Sequence, residues 1–97
     1  MRRRRFDHLA TELAVAVRAP IPRYALWMRL HDQGLDPEAL TRAQALGFCK
    51  ASARRFATEQ GLRLGMRAHR RLLREIEVFD PERVAPADRF REEFDEG

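Results

Sequence analysis

Apolar residues recur at three- and four-residue intervals along most of the chain, which is the spacing of amphipathic helices. Breaks rich in proline, glycine and charged residues divide this pattern into segments. Four main helices are predicted at about 6–18, 22–33, 37–60 and 62–79, and a short C-terminal helix at about 86–95. No strand or hairpin signal interrupts them. We therefore predict an all-α fold, either a small bundle or an orthogonal array of these helices.

Proline, glycine and aspartate define the predicted helix boundaries. Pro20 and Pro22 lack backbone N–H groups, so they end the first helix, and Pro22 suits the first position of the second. Gly34 and Gly61 are predicted to end the second and third helices, because glycine adopts the left-handed conformation common there. Asp36 can accept hydrogen bonds from first-turn amides, which predicts that the third helix starts just after it.

The second predicted helix is apolar around most of its circumference. Its large apolar residues are Tyr24, Leu26, Trp27, Met28 and Leu30. A helix that is hydrophobic on all sides is stable only where neighbours cover it. We therefore expect the second helix to be the central, most buried element.

The fourth predicted helix separates into an apolar face and a basic face when its residues are placed at intervals of about 100°. The apolar arc contains Leu62, Met66, His69, Leu72, Leu73, Ile76 and Phe79. The other side holds a row that we call the arginine stripe: Arg63, Arg67, Arg70, Arg71 and Arg74. Like charges four residues apart repel by a few tenths of a kcal/mol. Solvated helix faces therefore usually mix signs, and this one does not.

The arginine stripe suits a nucleic-acid backbone. Four residues along a helix advance about 6 Å, comparable to the spacing of phosphates along a strand, and arginine offers a planar fork to phosphate oxygens. Lys50, Arg54 and Arg55 are predicted to support the same contact. The leading hypothesis is a non-enzymatic protein that binds RNA or DNA as a small subunit of a ribonucleoprotein or DNA complex. The alternative is an ordinary solvated face, since arginine is a good helix former whose stem covers apolar surface.

Part of the third segment has the spacing of a helix-turn-helix unit, with small and apolar residues at set distances from a turn glycine. These positions are held by Ala43, Gly47, Phe48, Ala53 and Phe56. The run of residues 46–62 resembles the DNA-reading unit of MerR-type and excisionase-type regulators, which implies a regulator dimer on duplex DNA. In the competing interpretation, one long or kinked helix packs along a single seam: Ala39, Ala43, Leu46, Cys49, Ala53 and Phe56.

The chain of 97 residues is expected to form one domain over 1–97. Residues 1–78 contain 16 basic and 8 acidic side chains, a net charge of +8, whereas residues 79–97 contain 3 and 7, a net charge of −4. We predict a basic N-terminal arm at 1–5 and an acidic C-terminal tail at 80–97. A partner would therefore meet a basic body with an acidic tail.

The acidic tail contains two phenylalanines four residues apart, which places them on one side of a helix. Phe90 and Phe94, together with Glu92 and Glu93, are candidate partner-binding residues. The acids are suited to a basic patch, such as the arginine stripe of a neighbouring copy. This predicts, as an alternative function, an assembly adaptor or a self-associating subunit.

No pattern in the chain predicts catalysis or metal binding. His8, His31 and His69 are far apart, and His69 is expected in the core with one hydrogen-bonded nitrogen. Cys49 is the only cysteine; we expect a small buried thiol and a reducing compartment. The apolar runs are too short for a membrane span or export signal. We therefore expect a cytoplasmic protein that is not an enzyme and needs no metal, cofactor or small-molecule substrate.

Overall fold

The computed structural model of the chain describes residues 4–80, and this part contains five α-helices and one short 3-10 helix. The elements in order are α1 (Arg4–Val17), α2 (Arg23–Asp32), the 3-10 helix (Pro37–Ala39), α3 (Arg42–Ala51), α4 (Ala53–Glu59) and α5 (Met66–Val78). No strand occurs between residues 4 and 80, so the predicted all-α fold is confirmed. The predicted helix at 86–95 and its Phe90, Phe94, Glu92 and Glu93 lie outside the described residues.

The core forms where α5 packs against α1 and against α3. The prediction that α2 is the central helix is wrong, because of its large apolar residues only Leu26 and Leu30 are buried. Tyr24 is 76% exposed and Trp27 only partly buried. The core draws its side chains from every helix: Phe6, Leu9, Leu13, Leu26, Leu30, Leu40, Ala45, Phe48, Cys49, Ala53, Phe56, Ala57, Leu64, Leu72 and Ile76 among them.

The two predicted glycine stops are confirmed. Gly34 and Gly61 have φ angles of +79° and +74°, the left-handed conformation that other residues adopt at a cost. After Gly34, the Leu35 amide donates to the Leu30 carbonyl at 3.0 Å, which closes the last turn of α2 as a Schellman motif. The Gly34 amide also donates to the His31 carbonyl at 2.9 Å, and the equivalent two bonds close α4, from Gly61 to Thr58 and from Leu62 to Ala57.

The third predicted helix does not start after Asp36. The Asp36 side chain accepts from the Glu38 amide at 2.9 Å as predicted, but this cap opens only the one-turn 3-10 helix. Leu40 then turns to extended backbone, and its side chain enters the core. A second cap, in which Thr41 and Gln44 each bond the other's backbone amide at 3.1 Å, begins α3. The sequence contains this capping-box pattern, and the capping box, not the Asp36 cap, marks the start of α3.

The continuous helix predicted up to residue 60 is broken at Ser52, where φ is −128° and ψ is −20°. The buried positions of α3 are Ala45, Phe48 and Cys49, whereas Ala43 is exposed. Of the predicted seam, three residues are buried as expected and one packs partly against the core: Cys49, Ala53 and Phe56, with Leu46. Ala39 and Ala43 are exposed. Phe48 and Phe56, on the two sides of the break at Ser52, both pack in the core.

Helix α5 begins at Met66, four residues later than predicted. Residues 62–65 are not helical, and within them Leu64 is buried. The Gly65 carbonyl accepts from the His69 amide at 2.8 Å and starts the helix. Because burial of Leu64 competes with helix formation at residues 62–65, α5 starts later in the chain than predicted.

At the other end of the chain, Arg4 and Arg5 belong to α1, so this part of the predicted N-terminal arm is helical.

Candidate nucleic-acid interface

Helix α5 presents one buried face and one basic face. Leu72 and Ile76 are buried, and Ala68 and Leu73 pack partly against the same core. On the outer side, four arginines are exposed and fall within an arc of about 100° around the helix axis. These residues, which we call the arginine quartet, are Arg67, Arg70, Arg71 and Arg74.

The fifth residue of the predicted arginine stripe is not part of this face. Arg63 is exposed, but it lies three residues before α5 in nonhelical backbone, so it has no helical register with the quartet. Met66 was predicted in the apolar arc, yet it is 64% exposed because the helix begins there. Met66 and the exposed Val78 lie at the two ends of the basic face, and Glu77 is its one acidic residue.

The charges of the quartet are little compensated by the acidic groups of residues 4–80. No acidic group within residues 4–80 forms an ion pair with Arg67, Arg70 or Arg74. Arg71 lies at the edge facing α1, where burial raises the pKa of Glu12 and the Arg71 charge partly offsets that shift. Within the described part of the chain, most of the charge on this basic face is therefore uncompensated.

The predicted supporting residues divide into two groups. Lys50 is exposed at the C-terminal end of α3 and follows Cys49, whose carbonyl is 2.7 Å from Nε2 of His69 on α5. This end of α3 is therefore joined directly to α5. Arg54 and Arg55 are exposed on α4, which packs chiefly against α3, and no hydrogen bond or ion pair joins them to α5.

The helix-turn-helix interpretation places a turn at Gly47, and this turn does not form. Gly47 lies within α3 with helical neighbours on both sides, and only Ser52 separates α3 from α4. A helix-turn-helix unit joins its helices through three or four residues after the glycine. Phe48 and Phe56, which fit that motif by spacing, are buried with their rings 6.3 Å apart. Their spacing therefore reflects core packing across the break at Ser52.

A polar seam between α1 and the end of α5 was not anticipated from the sequence. The His8 ring stacks on Phe79 with centroids 3.8 Å apart and planes 7° apart, and the Arg5 guanidinium lies 5.7 Å from the same ring. Burial lowers the pKa of His8, the Glu75 charge opposes this shift, and the Arg5 charge adds to it. Arg42 of α3 donates to the Phe79 carbonyl at 3.4 Å. The only signal in the sequence is that His8 and Phe79 lie on inward-facing helical positions.

Cys49 is fully buried, in agreement with the expected buried thiol. Burial raises the pKa of this thiol to about 12. The group is therefore protonated at neutral pH, which makes it a poor nucleophile. The nearby His69 bonds the Cys49 carbonyl, and this contact is structural.

Protein-family models, curated proteins and solved structures contain no match to this chain. Between residues 4 and 80, no helix combines the length and the apolar character needed to cross a membrane. In the same range, no three His, Cys, Asp or Glu side chains are grouped so that they could hold a metal ion.

Proposed function

We propose that this protein binds the phosphate backbone of a nucleic acid through the arginine quartet, as a non-enzymatic subunit of a larger nucleic-acid complex. The observation that supports this proposal most directly is the exposure of Arg67, Arg70, Arg71 and Arg74 on one face of α5, where none of them forms an ion pair with an acid of residues 4–80. Repulsion among these charges destabilises the free helix by a few tenths of a kcal/mol for each four-residue pair. A polyanion removes that repulsion.

The shape of the face favours backbone contacts over base recognition. The quartet extends about 10 Å along the helix axis, enough for two or three successive phosphates. Because α1 and α3 cover the flanks of α5, only its outer side can approach the ligand, and that side offers arginines and little else. Contacts to phosphate hold a protein on a strand without reading its sequence. We therefore expect weak sequence preference.

The proposal is tested by fluorescence anisotropy. The protein is titrated into labelled RNA or duplex DNA of about 20 nucleotides at several salt concentrations. Contact with two or three phosphates predicts a slope of about −1.4 to −2.7 in a plot of log affinity against log salt. Binding that is absent at low salt, or that does not change with salt, would contradict the proposal.

Two double charge-reversal variants distinguish binding through the quartet from binding that depends only on the net charge of the protein. The variant Arg67→Glu/Arg74→Glu should weaken binding at least about ten-fold and make the salt slope shallower by about two, one for each lost phosphate contact. The matched variant Arg54→Glu/Arg55→Glu changes the net charge equally on α4 and should weaken binding much less. Circular dichroism of both variants checks that the helices are retained. Equal losses in the two variants would attribute binding to net charge and would reject the quartet as the site.

A further inference from the structure

A shallow aromatic groove lies between α1, α2 and the 3-10 helix, apart from the arginine quartet. It has a volume of about 360 Å³ and is lined by Phe6, Tyr24, Trp27, Arg23 and Glu38. The edge of Phe6 packs against Trp27, with centroids 5.3 Å apart and planes at 79°, and forms the floor. Tyr24 is 76% exposed, although its ring would gain from burial.

The groove is lined by one cation, Arg23, and one carboxylate, Glu38. Arg23 is already bound to Asp7, with Nη1 and Oδ1 2.6 Å apart. The carboxylate of Glu38 has no cationic partner within residues 4–80. Residues 30–41 include Asp32, Asp36 and Glu38 but no lysine or arginine. Within residues 4–80, a carboxylate without a cationic partner therefore lies in the same groove as the exposed Tyr24 ring.

We propose that this groove binds an arginine side chain presented by a protein partner. A guanidinium stacks on the face of an exposed tyrosine such as Tyr24 through its charge and its flat shape. The same group can donate two parallel hydrogen bonds to a carboxylate such as Glu38. An aliphatic side chain would leave Glu38 unused, and a phosphate would be repelled by it. Charge and shape together favour the guanidinium.

The size of the groove limits what it recognises. A volume of about 360 Å³ accommodates one or two side chains, at the lower end of small-molecule sites. The partner therefore supplies an exposed segment, and the contact contributes moderate affinity within a larger complex. The groove uses residues of α1, α2 and the 3-10 helix, whereas the quartet lies on α5. Both surfaces can be occupied at once, and the groove proposal does not depend on nucleic-acid binding.

The chain contains one tryptophan and one tyrosine, and both line the groove. Intrinsic fluorescence, together with the NMR signal of the Trp27 indole N–H, therefore reports on this site alone. The probe is a blocked Gly-Arg-Gly-Arg-Gly peptide, compared with peptides that contain lysine or the neutral isostere citrulline in place of arginine. We expect a saturable change with the arginine peptide, a weaker one with lysine and none with citrulline at equal concentration.

Two variants test the residues assigned to the interaction. Glu38→Gln keeps the shape of an exposed side chain and should weaken arginine-peptide binding about three- to five-fold, as loss of one exposed ion pair allows. Tyr24→Leu should weaken it by about two- to five-fold. Glu77→Gln, which neutralises an exposed acid on α5, is the matched control and should leave binding unchanged. Because Trp27 is retained in all three variants, the readout remains the same.

Three results would overturn the proposal. The first is no saturable signal from Trp27 with the arginine peptide. The second is equal binding by wild type and Glu38→Gln, or by arginine and citrulline peptides. The third concerns the source of the arginine: if sedimentation shows a dimer of this chain that Glu38→Gln dissociates, the groove is occupied by a second copy and not by a separate protein.

Discussion

Nε2 of His69, on α5, donates a hydrogen bond to the carbonyl oxygen of Cys49, on α3, over 2.7 Å. Because a carbonyl can only accept, the proton must lie on this nitrogen. In an uninterrupted helix that carbonyl would accept from the Ala53 amide, and the chain breaks between these two residues, at Ser52. One side chain therefore joins the two helices and satisfies a carbonyl next to the break.

Replacing His69 should destabilise the fold by removing this bond. His69→Leu leaves a buried carbonyl without its donor, which is expected to lower the free energy of unfolding by about 1–3 kcal/mol. His69→Gln retains an N–H donor of similar reach and should lose less. Urea denaturation of the three proteins measures the difference. Equal stability of wild type and His69→Leu would show that the bond contributes nothing to the fold.

Gly47 provides a direct test of whether α3 is continuous. Its backbone is helical, and a Cβ built there meets no atom within 4 Å. Gly47→Ala should therefore raise the free energy of unfolding by about 1 kcal/mol, the difference in helix propensity between the two residues. A helix-turn-helix with a left-handed glycine at this position would be destabilised by the same change.

Gly61→Ala is the control for this substitution. Gly61 also has space for a Cβ, but its φ of +74° is left-handed. The variant is expected to lose about 1–2 kcal/mol of unfolding free energy, the cost of placing an L-residue in that conformation. Thermal denaturation of the two glycine variants should give shifts of opposite sign, and shifts of the same sign would contradict the described course of α3.

The stacked pair of His8 and Phe79 makes stability depend on pH. Burial lowers the pKa of His8 below its ordinary value of 6.5. As the pH falls through the ordinary pKa, His8 binds a proton in the unfolded chain but resists protonation in the folded protein. The free energy of unfolding therefore decreases. Above it, His8 is neutral in both states and the effect vanishes.

His8→Phe isolates this contribution, because phenylalanine can stack on Phe79 but cannot bind a proton. Urea denaturation at about pH 7.5 and about pH 5.5 brackets the ordinary histidine pKa. Wild type should lose stability relative to His8→Phe at the lower pH. A stability difference that is the same at both pH values would show that His8 protonates as readily in the folded state as in the unfolded chain.

Tyr24 and Trp27 show why the apolar character of α2 led to the wrong prediction that it is the central helix. Their presence on α2 predicted a central helix, but burial requires a neighbour on every side, and α2 lacks one where the groove opens. The apolar pattern of a single helix does not show which faces of different helices pack against each other. The same side chains became candidate recognition residues only when Phe6 and Glu38, distant in the chain, were found beside them.

By itself, the sequence determined the all-α fold, the helix ends at Gly34 and Gly61, and the side of α5 on which the quartet lies. These features depend on backbone conformation and helical periodicity, which act over a few neighbouring residues. The tertiary structure was needed to show that α5 packs against both α1 and α3, that the helix breaks at Ser52, and that Arg63 lies off the basic face. Each of these follows from burial of groups far apart in the chain, such as Leu64 in the core and His69 against Cys49, and long-range packing overrides local helix preference where the two compete.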